Sequence, residues 1–203
     1  MKKTMLILAH PKFDESVVNK ILIEKVMSNN DVYINNLSER YKDEKFDIED
    51  EQRLLIQHER IIFQFPLYWY SYPAILKKWM DDVFTPGFAY GRKGELLGTH
   101  LVGKQFSIVS TIGGVEQMYT PGGIVGSSVN ELLRHLQATI EYVGGVYTYP
   151  HFVYGSAFVK NEEHLNQGVE SYLEYISSEY YPKDKQYEKL AKLAYEYQAK
   201  GYY

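Results

Sequence analysis

The chain has 203 residues, no cysteine, 45% hydrophobic and 24% charged residues, and a formal net charge of −4. That length favours one domain over residues 1–203; the charge argues against a broad nucleic-acid surface; the lack of cysteine excludes disulfides, thiolate metal sites and cysteine nucleophiles. The apolar run behind the basic Met1-Lys2-Lys3 ends at Ala9, too short for a secretory leader or a membrane span, so a cytoplasmic location is expected.

Thr4 to His10 reads as a first, nearly all-apolar strand. Ser16 is placed to cap a helix over Val17 to Met27, where Val17, Ile21, Leu22 and Val26 fall near helical spacing. Asp31 to Asn35 is a short second strand, Leu37 to Ile48 reads as loop, and Glu49 to Glu59 as a helix. Arg60 to Pro66 is the third strand, and its apolar run suits burial on both faces. Pro66 ends it in a bend of aromatic rings, and Pro73 opens a helix to Phe84. Thr85 to Lys104 is a long connection, Gln105 to Ser110 a fourth strand, and Thr111 to Gly126 a Gly-rich loop. Ser127 to Tyr142 reads as a helix stopped by Gly144-Gly145. Val146 to Tyr154 is the fifth strand, and helices over Glu162 to Tyr180 and Asp184 to Ala199 part at Pro182. Such alternation predicts an α/β fold, with a doubly wound parallel sheet and helices on both faces.

In an open sheet of this kind ligands bind at the carboxyl ends of the strands. Three loops fall there. The first holds His10 and then Ser16, Val17, Val18 and Asn19 at a helix start, where unpaired N–H groups suit an anion; the plainer reading of Ser16 is a helix cap alone. The second is Leu67 followed by the rings of Tyr68, Trp69 and Tyr70, a ring-rich bend suited to a flat conjugated ligand or, in the plainer reading, a core corner. The third is Thr111, Ile112, Gly113 and Gly114, where glycines let backbone donors approach a ligand, or make only a tight turn. Together they offer donors to a phosphate, flat rings, and donors to polar ring edges. That set describes a pocket for flavin mononucleotide.

Other motifs lead nowhere. Gly98 to Gln105 resembles a P-loop, but Gln105 replaces the hydroxyl residue and a strand follows in place of a helix. No GxGxxG occurs, and the six histidines lack HExxH spacing, so no metal is expected.

The string Phe65-Pro66-Leu67-Tyr68-Trp69-Tyr70 with Pro73 to Lys77, then Val83-Phe84 and Gly87 to Gly91, resembles the NAD(P)H:quinone oxidoreductase family of flavodoxin-like flavoproteins. Leu136 to Thr139 and Gly144-Gly145 are similar to its short bacterial branch, which includes the ancillary proteins of glutathione-gated potassium-efflux systems. The resemblance implies a five-stranded sheet of order 2-1-3-4-5 and a homodimer with flavin at the interface. It implies FMN, with FAD the alternative carried by longer members, and NAD(P)H as co-substrate. Two electrons would pass as hydride to a quinone-like acceptor; an azo- or nitro-compound, or a regulatory role beside a membrane antiporter, are the alternatives. By the same resemblance Tyr119 lies near the flavin as the catalytic residue, but Val125 stands where its histidine partner falls. Glu116 and His151 are the nearest substitutes by sequence. Ile112 replaces a second threonine, which leaves only a backbone donor there. The apolar Trp79, Met80, Val83 and Phe84, with Phe88-Ala89-Tyr90, are expected at a dimer interface, or else in the core.

Overall fold

Predominantly apolar strands can bury both faces, and three of them make the centre of the sheet. In the computed structural model, which describes residues 3–28, 31–91, 100–178 and 183–201, these are β1 (Thr4–Leu8), β3 (Arg60–Pro66) and β4 (Gln105–Thr111), buried throughout. With β2 (Val32–Asn36), β5 (Val146–Tyr147) and β6 (His151–Val153) they form a parallel sheet of order β2-β1-β3-β4-β5, in which β6 also pairs with β4.

Eight α-helices are described: α1 (Val18–Met27), α2 (Leu37–Arg40), α3 (Ile48–Gln57), α4 (Ala74–Val83), α5 (Val129–Leu132), α6 (Arg134–Tyr142), α7 (Asn166–Ser177) and α8 (Lys183–Ala199). Alternate side chains along each strand face opposite ways and build two cores. Ile61, Phe63, Phe65, Phe106 and Ile108 pack with Leu54, Leu76, Trp79 and Leu136 of α3, α4 and α6. Leu6, Leu8, Ile62 and Val109 pack with Leu22 and Val26 of α1 and with Val169 and Tyr172 of α7.

Four local expectations are corrected. The supposed loop after β2 contains α2, anchored by the fully buried Leu37. The expected fifth strand is two strands, because Pro150 has no N–H to give to the ladder. Their register against β4 shifts by one residue between Gln105↔Val146 and Val109↔His151, and the Thr148 N–H and hydroxyl both bond to Phe106 O. The helix expected over Ser127 to Tyr142 starts from a capping box, in which Ser128 Oγ accepts from Glu131 N–H and Glu131 Oε2 accepts from Ser128 N–H, and it breaks at Leu133. Finally, Trp79, Met80, Val83, Phe84, Phe88 and Ala89 are buried in the core, so that face of α4 is no free dimer surface. Gly98 and Thr99 of the P-loop-like string, and the expected helix end and break at Tyr180 and Pro182, lie outside the described residues.

One polar group is built into the first core. The fully buried Glu51 of α3 takes four hydrogen bonds: from Arg40 Nη1 and Tyr41 OH on Oε1, and from Asn35 Nδ2 and Trp79 Nε1 on Oε2, all between 2.7 and 2.9 Å. It ties β2, α2, α3 and α4 together on the side of the sheet that carries the aromatic bend.

Candidate functional site

Parallel strands deliver their following loops to one edge, and backbone bonds bring three of these together. The Ala9 N–H bonds to Gln64 O, and the Leu67 N–H bonds to Thr111 O at 2.8 Å. The His10 ring, buried at the mouth of β1, stands edge-on to Tyr68 at 6.2 Å and to Phe13 at 6.2 Å.

In the first loop Ser16 Oγ accepts from Asn19 N–H at 3.2 Å, so the capping reading holds. Among the described residues, the Val17 and Val18 N–H groups meet no protein acceptor and remain for an anion. Asn19 is buried, and its amide faces inward, bonding Thr111 and Gln64. It therefore supports the loop from beneath.

The second loop is a tight turn closed by mutual backbone bonds between Tyr68 and Ser71. Its central residues, Trp69 and Tyr70, have φ of 47° and 68°. A turn with positive φ at both centres ordinarily uses Asn-Gly. Bulky residues there cost of order 1–3 kcal/mol each, and such strain concentrates at ligand sites. Trp69 is 93% exposed and Tyr70 47%. The chain thus spends conformational energy to hold two rings in solvent at the carboxyl edge of the sheet.

In the third loop, the Gly113 and Gly114 N–H groups donate to no protein acceptor among the described residues. Ile112 does not share this property. Its N–H bonds Val153 O and its carbonyl accepts from Ser156, so the backbone donor expected there is already used. Tyr119 lies over Gly114, where an added Cβ would come within 3.2 Å of its ring.

Tyr154, which sequence reasoning missed, stands 6.0 Å from Tyr119. Burial raises both phenols above their ordinary values; the neighbouring Tyr70 adds to this at Tyr119, and Glu116 and Tyr119 add to it at Tyr154. Both therefore keep their protons at neutral pH. His151 is excluded as a partner for Tyr119, because it points to the opposite face of the sheet and stacks on Tyr175 of α7 at 5.1 Å. Its position on the α7 side follows from strand alternation once β6 is placed, and Phe152 and Tyr154 take the other side.

Burial also holds the imidazoles of His10 and His151 below their ordinary value. As pH falls below about 6.5, the unfolded chain takes up these protons before the folded one does. Stability is thus expected to be level from pH 8 to 7 and to fall between pH 6.5 and 5. Urea midpoints across that range check this, and His151→Phe should remove part of the fall. Identical midpoints at pH 7 and pH 5 would contradict it.

A family model described as flavodoxin-like fold matches residues 2–176. The NAD(P)H oxidoreductase YrkL of Bacillus subtilis is 38% identical over 88% of this chain and 99% of its own. The glutathione-regulated potassium-efflux ancillary protein KefG of Cronobacter sakazakii is 39% identical over 68% of this chain and 72% of its own. Among solved structures, general stress protein 14 of Treponema denticola, in complex with FMN, superposes with a TM-score of 0.78 at 33% identity, covering 85% of this chain and 97% of that one. An NADPH-quinone reductase from P. pentosaceus gives 0.76 at 29% identity, covering 87% and 99%.

Proposed function

The chain belongs to the flavodoxin-like fold family, and from that premise we propose that it is an FMN-dependent NAD(P)H oxidoreductase acting on a quinone-like acceptor. The observation that carries this reading is the strained Tyr68–Ser71 turn, which holds Trp69 and Tyr70 in solvent beside the unpaired N–H groups of Gly113 and Gly114. The residues present fit the cofactor. The Val17 and Val18 N–H groups at the start of α1 suit its phosphate, Leu67 and the rings of Tyr68, Trp69 and Tyr70 suit its flat ring system, and the Gly113 and Gly114 donors suit its polar edge. The FMN complex of the 33%-identical relative supports FMN over FAD.

When bound, the flavin supplies two-electron transfer between reduced nicotinamide and acceptor. The chain's part is to place the reactants. Trp69 and Tyr70 shape the place that nicotinamide and quinone occupy in turn, which provides the gain expected of proximity. The Tyr119 phenol keeps a proton at its Oη beside that place. Tyr154 is its neighbour, where the resemblance expects a histidine and the chain has Val125. A homodimer would complete the pocket, with the exposed rings of the turn at the interface.

The purified protein is expected to be yellow and to release FMN by mass. A colourless protein that takes up no flavin would overturn the reading, and released FAD would correct the cofactor alone. Tyr119→Phe is expected to slow turnover about tenfold, corresponding to ~1.4 kcal/mol, because among the described residues no charged partner stands behind its hydroxyl. Stopped-flow measurement of the two half-reactions checks this; a thousandfold loss would make the hydroxyl essential.

The similarity to KefG supports a second reading, in which the same domain docks on a potassium-efflux antiporter. Co-purification with a transporter encoded beside this gene tests it, and quinone turnover unaffected by the transporter would favour the stand-alone enzyme.

A further inference from the structure

Gln64 is a polar residue in the middle of a strand buried on both faces, and a group so placed must be paired. It is the second link of a buried chain of hydrogen bonds crossing the molecule. Tyr172 OH of α7 bonds Gln64 Oε1 of β3 at 2.7 Å. Gln64 Nε2 bonds Asn19 Oδ1 of α1 at 3.1 Å, and Asn19 Nδ2 bonds Thr111 Oγ1 at the end of β4 at 3.0 Å. All four residues are at most 4% exposed.

The direction of this chain is fixed at its far end. Burial keeps the Tyr172 phenol protonated, and Gln64 is the acceptor within its reach. Turning the Gln64 amide round would leave that proton unpaired in the core, at the cost that accompanies any buried orphan donor. Gln64 therefore presents its oxygen to Tyr172 and its nitrogen to Asn19, and Asn19 does the same one step on. Thr111 Oγ1 is left as an acceptor from Asn19. A hydroxyl that accepts one bond still has its own proton to give, and among the described residues the Thr111 proton meets no acceptor. Thr111 stands directly before Ile112-Gly113-Gly114, at the edge where the three loops meet.

We propose that Tyr172 is a positioning residue for the cofactor site, which through Gln64 and Asn19 sets the Thr111 hydroxyl as a hydrogen-bond donor to the bound flavin. The proposal rests on the FMN reading above. Without the Tyr172 hydroxyl, both amides are free to turn round. Thr111 then gives its proton to Asn19 and offers the cofactor only lone pairs.

The test is FMN affinity of flavin-stripped protein, read by quenching of flavin fluorescence, a measurement of binding that needs no turnover. Thr111→Val is expected to weaken FMN binding about tenfold, and Thr111→Ser to restore it to within about twofold of wild type. Tyr172→Phe, 61 positions from Thr111 in the chain, is expected to fold with an unchanged thermal midpoint and to lose most of the same factor. The double variant Tyr172→Phe/Thr111→Val should bind no more weakly than Thr111→Val alone, because both changes remove one donor. Losses that multiply, or a Tyr172→Phe protein with wild-type affinity, would overturn the proposal while leaving the FMN reading intact. Wild-type protein that binds no flavin would overturn both.

Discussion

Replacing Glu51 with alanine is expected to remove about 3–5 kcal/mol of folding stability. The four donors that Glu51 satisfies come from β2, α2, the residue after α2, and α4, and its carboxylate is fully buried. The alanine variant leaves the Trp79 and Asn35 donors without acceptors and the Arg40 guanidinium without its buried partner. Each orphaned group carries its own desolvation cost. Against a total of about 5–15 kcal/mol for a domain of ordinary stability, such a loss approaches unfolding. Glu51→Gln should be milder, at about 1–3 kcal/mol, because its oxygen still serves one pair of donors while its amide nitrogen opposes the other. Urea unfolding of the three proteins checks the order. A Glu51→Ala protein within 1 kcal/mol of wild type would show that the network is dispensable.

Replacing Trp69-Tyr70 with Asn-Gly is expected to move stability and activity in opposite directions. Both native residues sit at positive φ, and Asn-Gly is the pair that such a turn prefers. The backbone should relax by about 1–3 kcal/mol in favour of the folded state. The same change removes two rings from the edge where nicotinamide and acceptor are proposed to stack. Each aromatic contact contributes about 0.5–1.5 kcal/mol beyond its area, so kcat/KM for a quinone should fall by up to about a hundredfold. A raised thermal midpoint with lowered kcat/KM is the expected result. A variant that loses stability would mean that the rings hold the loop in place, and unchanged kcat/KM would remove them from the reaction.

The strand runs, the bend at Pro66 and the Gly-rich loop after β4 were legible because they depend on neighbours in sequence. A run of apolar residues is buried on both faces whatever covers it, and Pro and Gly act on their own backbone. Leu37 to Arg40 was not legible as a helix, since four residues have too little pattern to show a period and this turn is held by Leu37 in the core and Arg40 on Glu51. The split of the fifth strand did leave a mark at Pro150, though the one-residue shift of register did not.

The same division runs through the site. By itself the sequence determined which loops reach the carboxyl edge and which residue types they carry, because strand polarity and side-chain chemistry are properties of the chain. Only the tertiary structure decided that the apolar face of α4 is core, that His151 turns away from Tyr119 while Tyr154 turns towards it, and that Asn19 is joined to Thr111, Gln64 and Tyr172. Those contacts link residues 45 to 108 positions apart. Their existence depends on strand register and on which helix packs over which face. A one-residue shift exchanges every side chain between the two faces, and in strands buried on both faces the apolar pattern does not choose between the registers.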